Sequence, residues 1–257
     1  MEWKKTIRIF TAVAIVGSML AFTSGCGKKD RASVPAGKSK KLVMVTEATF
    51  PPYEYMENSK IVGIDPEIVG EIARNLGYTL VIQDMKFDSV ILAVQTGKAD
   101  IAASGITVTE DRKKQVNFTV PYVTAAQVII VPKKSPIKTP EDLKGKRIGV
   151  QQGTTGDTYV RKNIGEPERY DNGALAVAAL RAGKIDAVVL DSEPSKVHVS
   201  EHPNEIMLLP VPLTHEEYAF ALNKNNPKLL KAFNDELVKM RASGRLQQIL
   251  DKYLDKK

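Results

Sequence analysis

The chain has 257 residues, 43% hydrophobic and 26% charged, an ordinary globular balance long enough for one large domain or two modest ones. Its net charge of +7 does not point to nucleic acid, because the excess is confined to the first 41 residues; residues 42–257 carry 28 cations and 28 anions. A single cysteine, Cys26, excludes an internal disulfide.

Lys4, Lys5 and Arg8 precede an apolar run over 9–22 and then Thr23-Ser24-Gly25, the pattern of a secretory signal over residues 1–25. The run is shorter than the roughly 20 residues needed to span a ~30 Å bilayer as a helix. Small residues before Cys26 resemble a lipoprotein lipobox, although Thr23 stands where that pattern usually has Leu. The resemblance implies an acylated, palmitate-type anchor on Cys26 that holds an exported protein at the outer face of the cytoplasmic membrane. Residues 26–41, rich in Gly, Ser and Lys, read as a flexible tether whose charge adds attraction to an anionic surface.

Strands and helices then alternate. Residues 42–46 form a short apolar strand. Asp65-Pro66-Glu67 reads as a helix start with Asp65 as N-cap, followed by Ile68, Val69, Ile72, Ala73 and Leu76 at helical spacing and closed by Gly77. Residues 78–83 are a strand, Asp88 caps a helix ending at Gly97, and 100–103 are a strand. Thr139-Pro140-Glu141-Asp142 opens a further helix, before a strand over 147–150. This order predicts an α/β protein with parallel sheets. LAVQTGKADIAASG (92–105) is echoed 86 residues later by AALRAGKIDAVVLD (178–191), as two lobes on one βαβ plan would produce.

Ligands in open α/β sheets lie beyond the carboxyl ends of the strands. That rule selects 47–50, 104–107, 151–155 and Asp191. These stretches and the segments beside them supply what a free amino acid needs. Arg112 offers a planar fork for a carboxylate, at the opening of a helix over 109–112. Gly153-Thr154-Thr155 offers a close backbone approach and hydroxyls. Asp191 can receive an ammonium, and Phe50 and Phe87 offer flat apolar surfaces. Taken singly, Arg112 reads as a surface charge, Asp191 as a cap and the two Phe residues as core; their joint placement favours a site.

Several motifs occur in a fixed order: Glu47-Ala48-Thr49-Phe50-Pro51-Pro52-Tyr53-Glu54, Gly63-Ile64-Asp65, Gly97-Lys98-Ala99-Asp100, Ser104-Gly105-Ile106-Thr107, Thr109-Glu110-Asp111-Arg112, Phe118-Thr119-Val120-Pro121-Tyr122, Asp142-Leu143-Lys144-Gly145-Lys146, Gln152-Gly153-Thr154-Thr155 and Asp191-Ser192-Glu193-Pro194. In this order, over residues 41–254, they resemble the polar amino-acid-binding proteins of ABC importers, the type II periplasmic-binding-protein family 3. The resemblance implies a two-lobed Venus-flytrap α/β fold, with lobe 1 from 42–130 plus 217–257, lobe 2 from 131–216, and hinge crossovers near 128–133 and 210–218. It implies that Arg112, Thr107 and the Thr154/Thr155 turn hold an α-carboxylate. The Gly105 carbonyl, with Ser104 beside it, and Asp191 hold the α-ammonium, while Phe50 and Phe87 sandwich the side chain. Glu47 stands where relatives that bind basic amino acids often carry an acid, so arginine, lysine, ornithine or histidine is favoured, with glutamine or another polar amino acid as the alternative. The implied partner is an ABC permease with its ATPase subunits, served by a monomer without cofactor or catalysis.

Other chemistries have less support. His198 and His202 are four apart but lack a third metal ligand, and no nucleophile elbow, phosphate loop or Cys-His pair is present. A dehydratase-like enzyme on the same fold would need an additional acid in the cleft, and a sensor receptor would need a signalling partner. Glu216-Glu217-Tyr218 lies either at the cleft edge or in solvent.

Overall fold

The computed structural model describes residues 40–254. The leader, Cys26 and the tether as far as residue 39 lie outside the described residues. Lys40 and Lys41, expected at the end of the tether, instead open the first strand.

In chain order, β1 (Lys40–Thr46) is followed by a small meander of β2 (Thr49–Phe50), β3 (Glu54–Glu57) and β4 (Lys60–Val62). Asn58 and Ser59 join β3 to β4 with φ of 49° and 61°, the two-residue turn whose backbone twist suits a hairpin. Then come α1 (Ile64–Asn75), β5 (Tyr78–Asp84), α2 (Phe87–Gln95), β6 (Ile101–Ala102), the short α3 (Glu110–Lys113), β7 (Asn117–Phe118), β8 (Val123–Ala125) and β9 (Gln127–Pro132). Beyond a 3-10 turn at Pro140–Leu143 follow β10 (Ile148–Gln151), α4 (Thr155–Asn163), β11 (Glu168–Tyr170), α5 (Gly173–Arg181), β12 (Ala187–Asp191), α6 (Ser192–Glu201) and β13 (Ile206–Leu208). The chain ends with β14 (Glu216–Tyr218), β15 (Ala221–Leu222), α7 (Pro227–Ala242) and α8 (Arg245–Leu254).

Two five-stranded sheets result, ordered β5-β1-β6-β15-β7 and β11-β10-β12-β9-β13. Each has three parallel strands, as expected of βαβ units, extended by antiparallel strands where the chain crosses between sheets, so both sheets are mixed. Alternation along β1 sends Leu42 and Met44 to the face covered by α1, α7 and α8, and Val45 to the face covered by α2. In the second sheet Ile129, Val131, Val150 and Val189 pack with Val160 of α4, whereas Ile130, Val188 and Leu190 meet α5.

The 86-residue echo has a physical basis. Gly97 and Gly183 follow α2 and α5 at φ of 74° and 70°, a conformation that costs glycine little. The N–H groups of Lys98 and Lys184 turn back to the carbonyls of Ala93 and Ala179, at 2.9 and 3.0 Å. Asp100 and Asp186 then accept the main-chain N–H of Val43 (2.7 Å) and Arg147 (2.9 Å). In both sheets the motif thus ties the third parallel strand to its central neighbour.

Three local expectations are corrected. Helix α1 starts at Ile64 with Gly63 in the cap position, and Asp65 is turned into the core because it is recruited by the Gly105 N–H and the Tyr122 hydroxyl. Helix α2 is preceded by Lys86 as cap, with Asp88 inside its first turn, where Asp88 accepts from Gln152 instead of capping. The segment opened by Thr139 is one 3-10 turn, Asp142 accepting the N–H groups of Lys138 and Thr139. The first crossover also lies upstream of 128–133: β9 is hydrogen-bonded within the second sheet, so a lobe boundary after residue 130 would cut it. The crossing segments are β8 and β14, which pair with each other (Glu216↔Ala125, Glu217↔Thr124, Tyr218↔Val123).

Gly63 sits at φ +130°, and a Cβ there would lie 2.2 Å from the Tyr53 carbonyl oxygen, a main-chain atom held by the N–H of Asp65. Gly63→Ala is expected to lower stability by about 2 kcal/mol or more, read as a fall in the urea midpoint.

Candidate functional site

The carboxyl ends of the parallel strands of both sheets open onto one cleft. Glu47 follows β1, and Ser104, Gly105 and Thr107 follow β6; Thr154 caps α4 after β10, Thr155 begins that helix, and Asp191 ends β12. Phe50 comes from the meander, Phe87 from the first residue of α2 and Arg112 from α3, which Thr109 caps by accepting the Arg112 N–H at 3.2 Å. All ten residues line a single cavity. One further residue completes the wall: Gln151, at the end of β10.

Arg112 donates to the carbonyls of Thr107 (2.8 Å) and Gly153 (3.2 Å), and its guanidinium lies 5.3 Å from the centre of the Phe87 ring. The fork is therefore fixed by contacts from both sides of the cleft. Burial lowers its pKa, with Asp191 and Glu216 acting in the opposite sense. Asp191 is buried and accepts a hydrogen bond from the Tyr218 hydroxyl. Burial pushes its pKa up to about 6, held back by the bond from Tyr218.

At another part of the wall Glu47 is buried, and burial raises its pKa against the bonds from Thr49 and Gln151. Gln151 donates to Glu47 across the cleft at 3.2 Å. Its own Oε1 is buried without a hydrogen-bond partner among the described residues, an acceptor left over at the cavity wall. Strand-end reasoning included position 151 but favoured the hydroxyls that follow it. A second residue is brought in by the structure: Glu216, half-buried on β14, accepts the hydroxyls of Thr107 (2.7 Å) and Thr155 (2.9 Å), one from each side of the cleft, and that of Thr214 (2.9 Å). Its neighbour Glu217 is exposed. Gln127, fully buried, donates to Thr155 at 3.1 Å.

Further out, Gln152 donates to Asp88 (2.9 Å) and Lys86 pairs with Asp171 (2.9 Å), so contacts across the cleft extend from the cavity to the surface. His198 is buried on α6 with Glu201 3.7 Å away, and His202 lies beside Arg181. Among the described residues no group of three or more His, Cys, Asp or Glu is placed to hold a metal ion, and no helix is long and apolar enough to cross a membrane.

Comparison with known proteins identifies the family. Residues 42–256 match the family of bacterial extracellular solute-binding proteins, family 3. A probable histidine-binding protein of Neisseria gonorrhoeae is 33% identical, over 100% of this chain and 97% of its own length. The arginine-, lysine-, histidine-binding protein ArtJ of Geobacillus stearothermophilus superposes with a TM-score of 0.80 at 32% identity, covering 85% of this chain and 96% of that one. An ancestral arginine-binding protein, solved bound to arginine and bound to glutamine, has a TM-score of 0.79 at 38% identity, covering 83% and 97%. The two-lobed fold, the cleft and the match along nearly all of the described chain make it a member of the bacterial extracellular solute-binding proteins, family 3: an exported binding protein and not an enzyme.

Proposed function

We propose that this chain captures a free basic L-amino acid (arginine, lysine, ornithine or histidine) and delivers it to the permease and ATPase subunits of an ABC importer. The observation that carries this reading is the charge of the cavity wall, which holds two carboxylates, Glu47 and Asp191, against one guanidinium, Arg112. A basic amino acid, with two cations and one carboxylate, neutralises that set; a neutral one leaves an uncompensated buried charge, which is costly. The names of the histidine-binding and arginine-, lysine-, histidine-binding relatives support the same class. The ancestral protein bound to glutamine keeps that amino acid as the second reading.

In this reading Arg112 takes the α-carboxylate, with the main-chain N–H groups that open α4. The Thr107 and Thr155 hydroxyls donate to Glu216 and so hold the shape of that corner. Asp191 and the main chain at Ser104-Gly105 take the α-ammonium, Phe50 and Phe87 flank the side chain, and Glu47 with Gln151 Oε1 receives the distal cation. The β8–β14 ribbon serves as hinge, and contacts made across the cleft favour the closed form once ligand is present. Acylation of Cys26 and the basic tether hold the monomer at the membrane surface.

A thermal-shift screen of the chain lacking residues 1–25, with Cys26→Ser, against the twenty amino acids plus ornithine, citrulline and cystine tests the ligand class. A basic amino acid should give the largest shift, equivalent to about 4 kcal/mol at a thousandfold excess over Kd; a larger shift from a neutral or acidic one overturns the assignment. Arg112→Ala should weaken every ligand at least about a hundredfold by calorimetry. Glu47→Gln should cost arginine at least about thirtyfold and glutamine much less. Because Asp191 must be ionised to hold an ammonium and its pKa is raised to about 6, arginine affinity should be constant above that pH. It should fall about tenfold per unit below it, as the neutral acid takes over.

A further inference from the structure

Behind the cavity wall lies a pair of acids that no ligand in the cavity touches. Glu54 on β3 and Asp65 in the first turn of α1 are both 0% exposed, neither lines the cavity, and among the described residues neither forms an ion pair. Asp65 has two donors: the Gly105 N–H reaches Oδ2 at 3.1 Å and the Tyr122 hydroxyl reaches Oδ1 at 2.5 Å. Glu54 has one, the Ser104 hydroxyl at 3.1 Å on Oε1, and that hydroxyl oxygen in turn accepts the Glu47 N–H at 3.0 Å. Among the described residues Glu54 Oε2 is buried without a donor, and the two carboxyl groups accept from adjacent residues, Ser104 and Gly105, which sets them side by side.

Two adjacent carboxylates in a dry site cannot both stay ionised. The proton belongs on the acid with fewer donors, since a bare carboxylate oxygen left unpaired is the more costly arrangement. Burial and the charge of Asp65 lift Glu54 well above the usual carboxylate range. Asp65, lifted to about 6 by burial, is held down by Tyr122, Gly105 and Glu54. The arrangement has a direct effect on the wall. The Ser104 hydroxyl and the Gly105 N–H both point into the acid pair. Gly105 itself has φ of 51°, and a Cβ on it would meet the Phe50 ring at 2.8 Å.

We infer that Glu54 and Asp65 are a positioning pair that shares a single proton, carried by Glu54, and that the pair fixes the Ser104–Gly105 segment of the cavity wall, from which the Gly105 carbonyl receives the ligand's α-ammonium. The inference rests on the amino-acid-binding reading for the ligand's role, though not for the location of the proton.

The test uses the full chain and arginine as probe. Glu54→Gln keeps one donor for Asp65 and one acceptor for Ser104, so it should retain affinity within about threefold, whereas Glu54→Leu should lose about tenfold or more. Asp65→Asn offers one oxygen where two donors converge and should lose about thirtyfold or more, with its circular dichroism unchanged. Equal losses for Glu54→Gln and Glu54→Leu, or wild-type affinity for Asp65→Asn, would overturn the proposal. An infrared spectrum of the ligand-free protein at pH 8, where Asp191 is ionised, provides an arm independent of binding and of whether Asp65→Asn folds. The wild type should show the C=O stretch of a protonated carboxylic acid, and Glu54→Gln should lack it; a band that persists in that variant places the proton elsewhere and refutes the assignment. If the wild type binds no amino acid, the ligand assignment fails while the infrared arm still decides the proton.

Discussion

Three ionisable groups, Glu47, Asp191 and Arg112, are drawn out of water into one cavity, and the desolvation this entails is the constraint that the surrounding structure is arranged around. Each is given partners that fix its direction. Arg112 is held by two carbonyls and a ring face, Asp191 by a tyrosine hydroxyl, and Glu47 by Thr49 and Gln151. These contacts determine geometry but do not balance charge, because most of the partners are neutral. The remaining compensation has to come from a solute that brings charges of its own at matching positions. On the proposed reading, the cleft selects by charge pattern at both ends of a small molecule, with two aromatic rings between them.

The scaffold that brings these groups together is assembled twice from the same local devices. A left-handed glycine after a helix, a lysine N–H turned back to that helix and an aspartate bound to the neighbouring strand recur at Gly97-Lys98-Ala99-Asp100 and Gly183-Lys184-Ile185-Asp186. Both copies precede a strand whose end supplies the cleft: Ser104 and Gly105 after β6 in one, Asp191 in the other. The aspartates secure strand registers, and a one-residue slip in register would turn the following residues to the opposite face. The precision of the site is therefore set partly by residues well removed from it.

Much of this was legible in the sequence because strand ends, helix openings and turn glycines leave local marks. Such marks point to Arg112, Thr154, Thr155 and Asp191, all of which line the cavity. What was not legible depended on partners distant in the chain. Asp65 followed by Pro66 carries the signal of a cap, but the Gly105 N–H and Tyr122 hydroxyl draw its carboxylate inward. All four residues of β10 are buried, so no alternation indicated that Gln151 faces the cavity. Residues 128–133 are an apolar run that suits an extended crossover as well as a core strand, and only pairing with β12 and β13 decides between them. Glu216 was ambiguous for the same reason: its importance comes from two threonines, 109 and 61 residues away.

The pairing of β8 with β14 has a consequence for how the cleft can move. Two independent linkers would let one half of the molecule twist, slide and tilt relative to the other. Three consecutive residue pairs between the linkers, ending at Val123 and Tyr218, couple them like the leaves of a single door hinge. Swinging about an axis through the ribbon is the low-energy displacement left to it; shear and torsion would have to break its hydrogen bonds. If the ribbon is the hinge, as proposed, opening would be reduced to essentially one coordinate, and the groups that meet across the gap would return to the same alignment on closing.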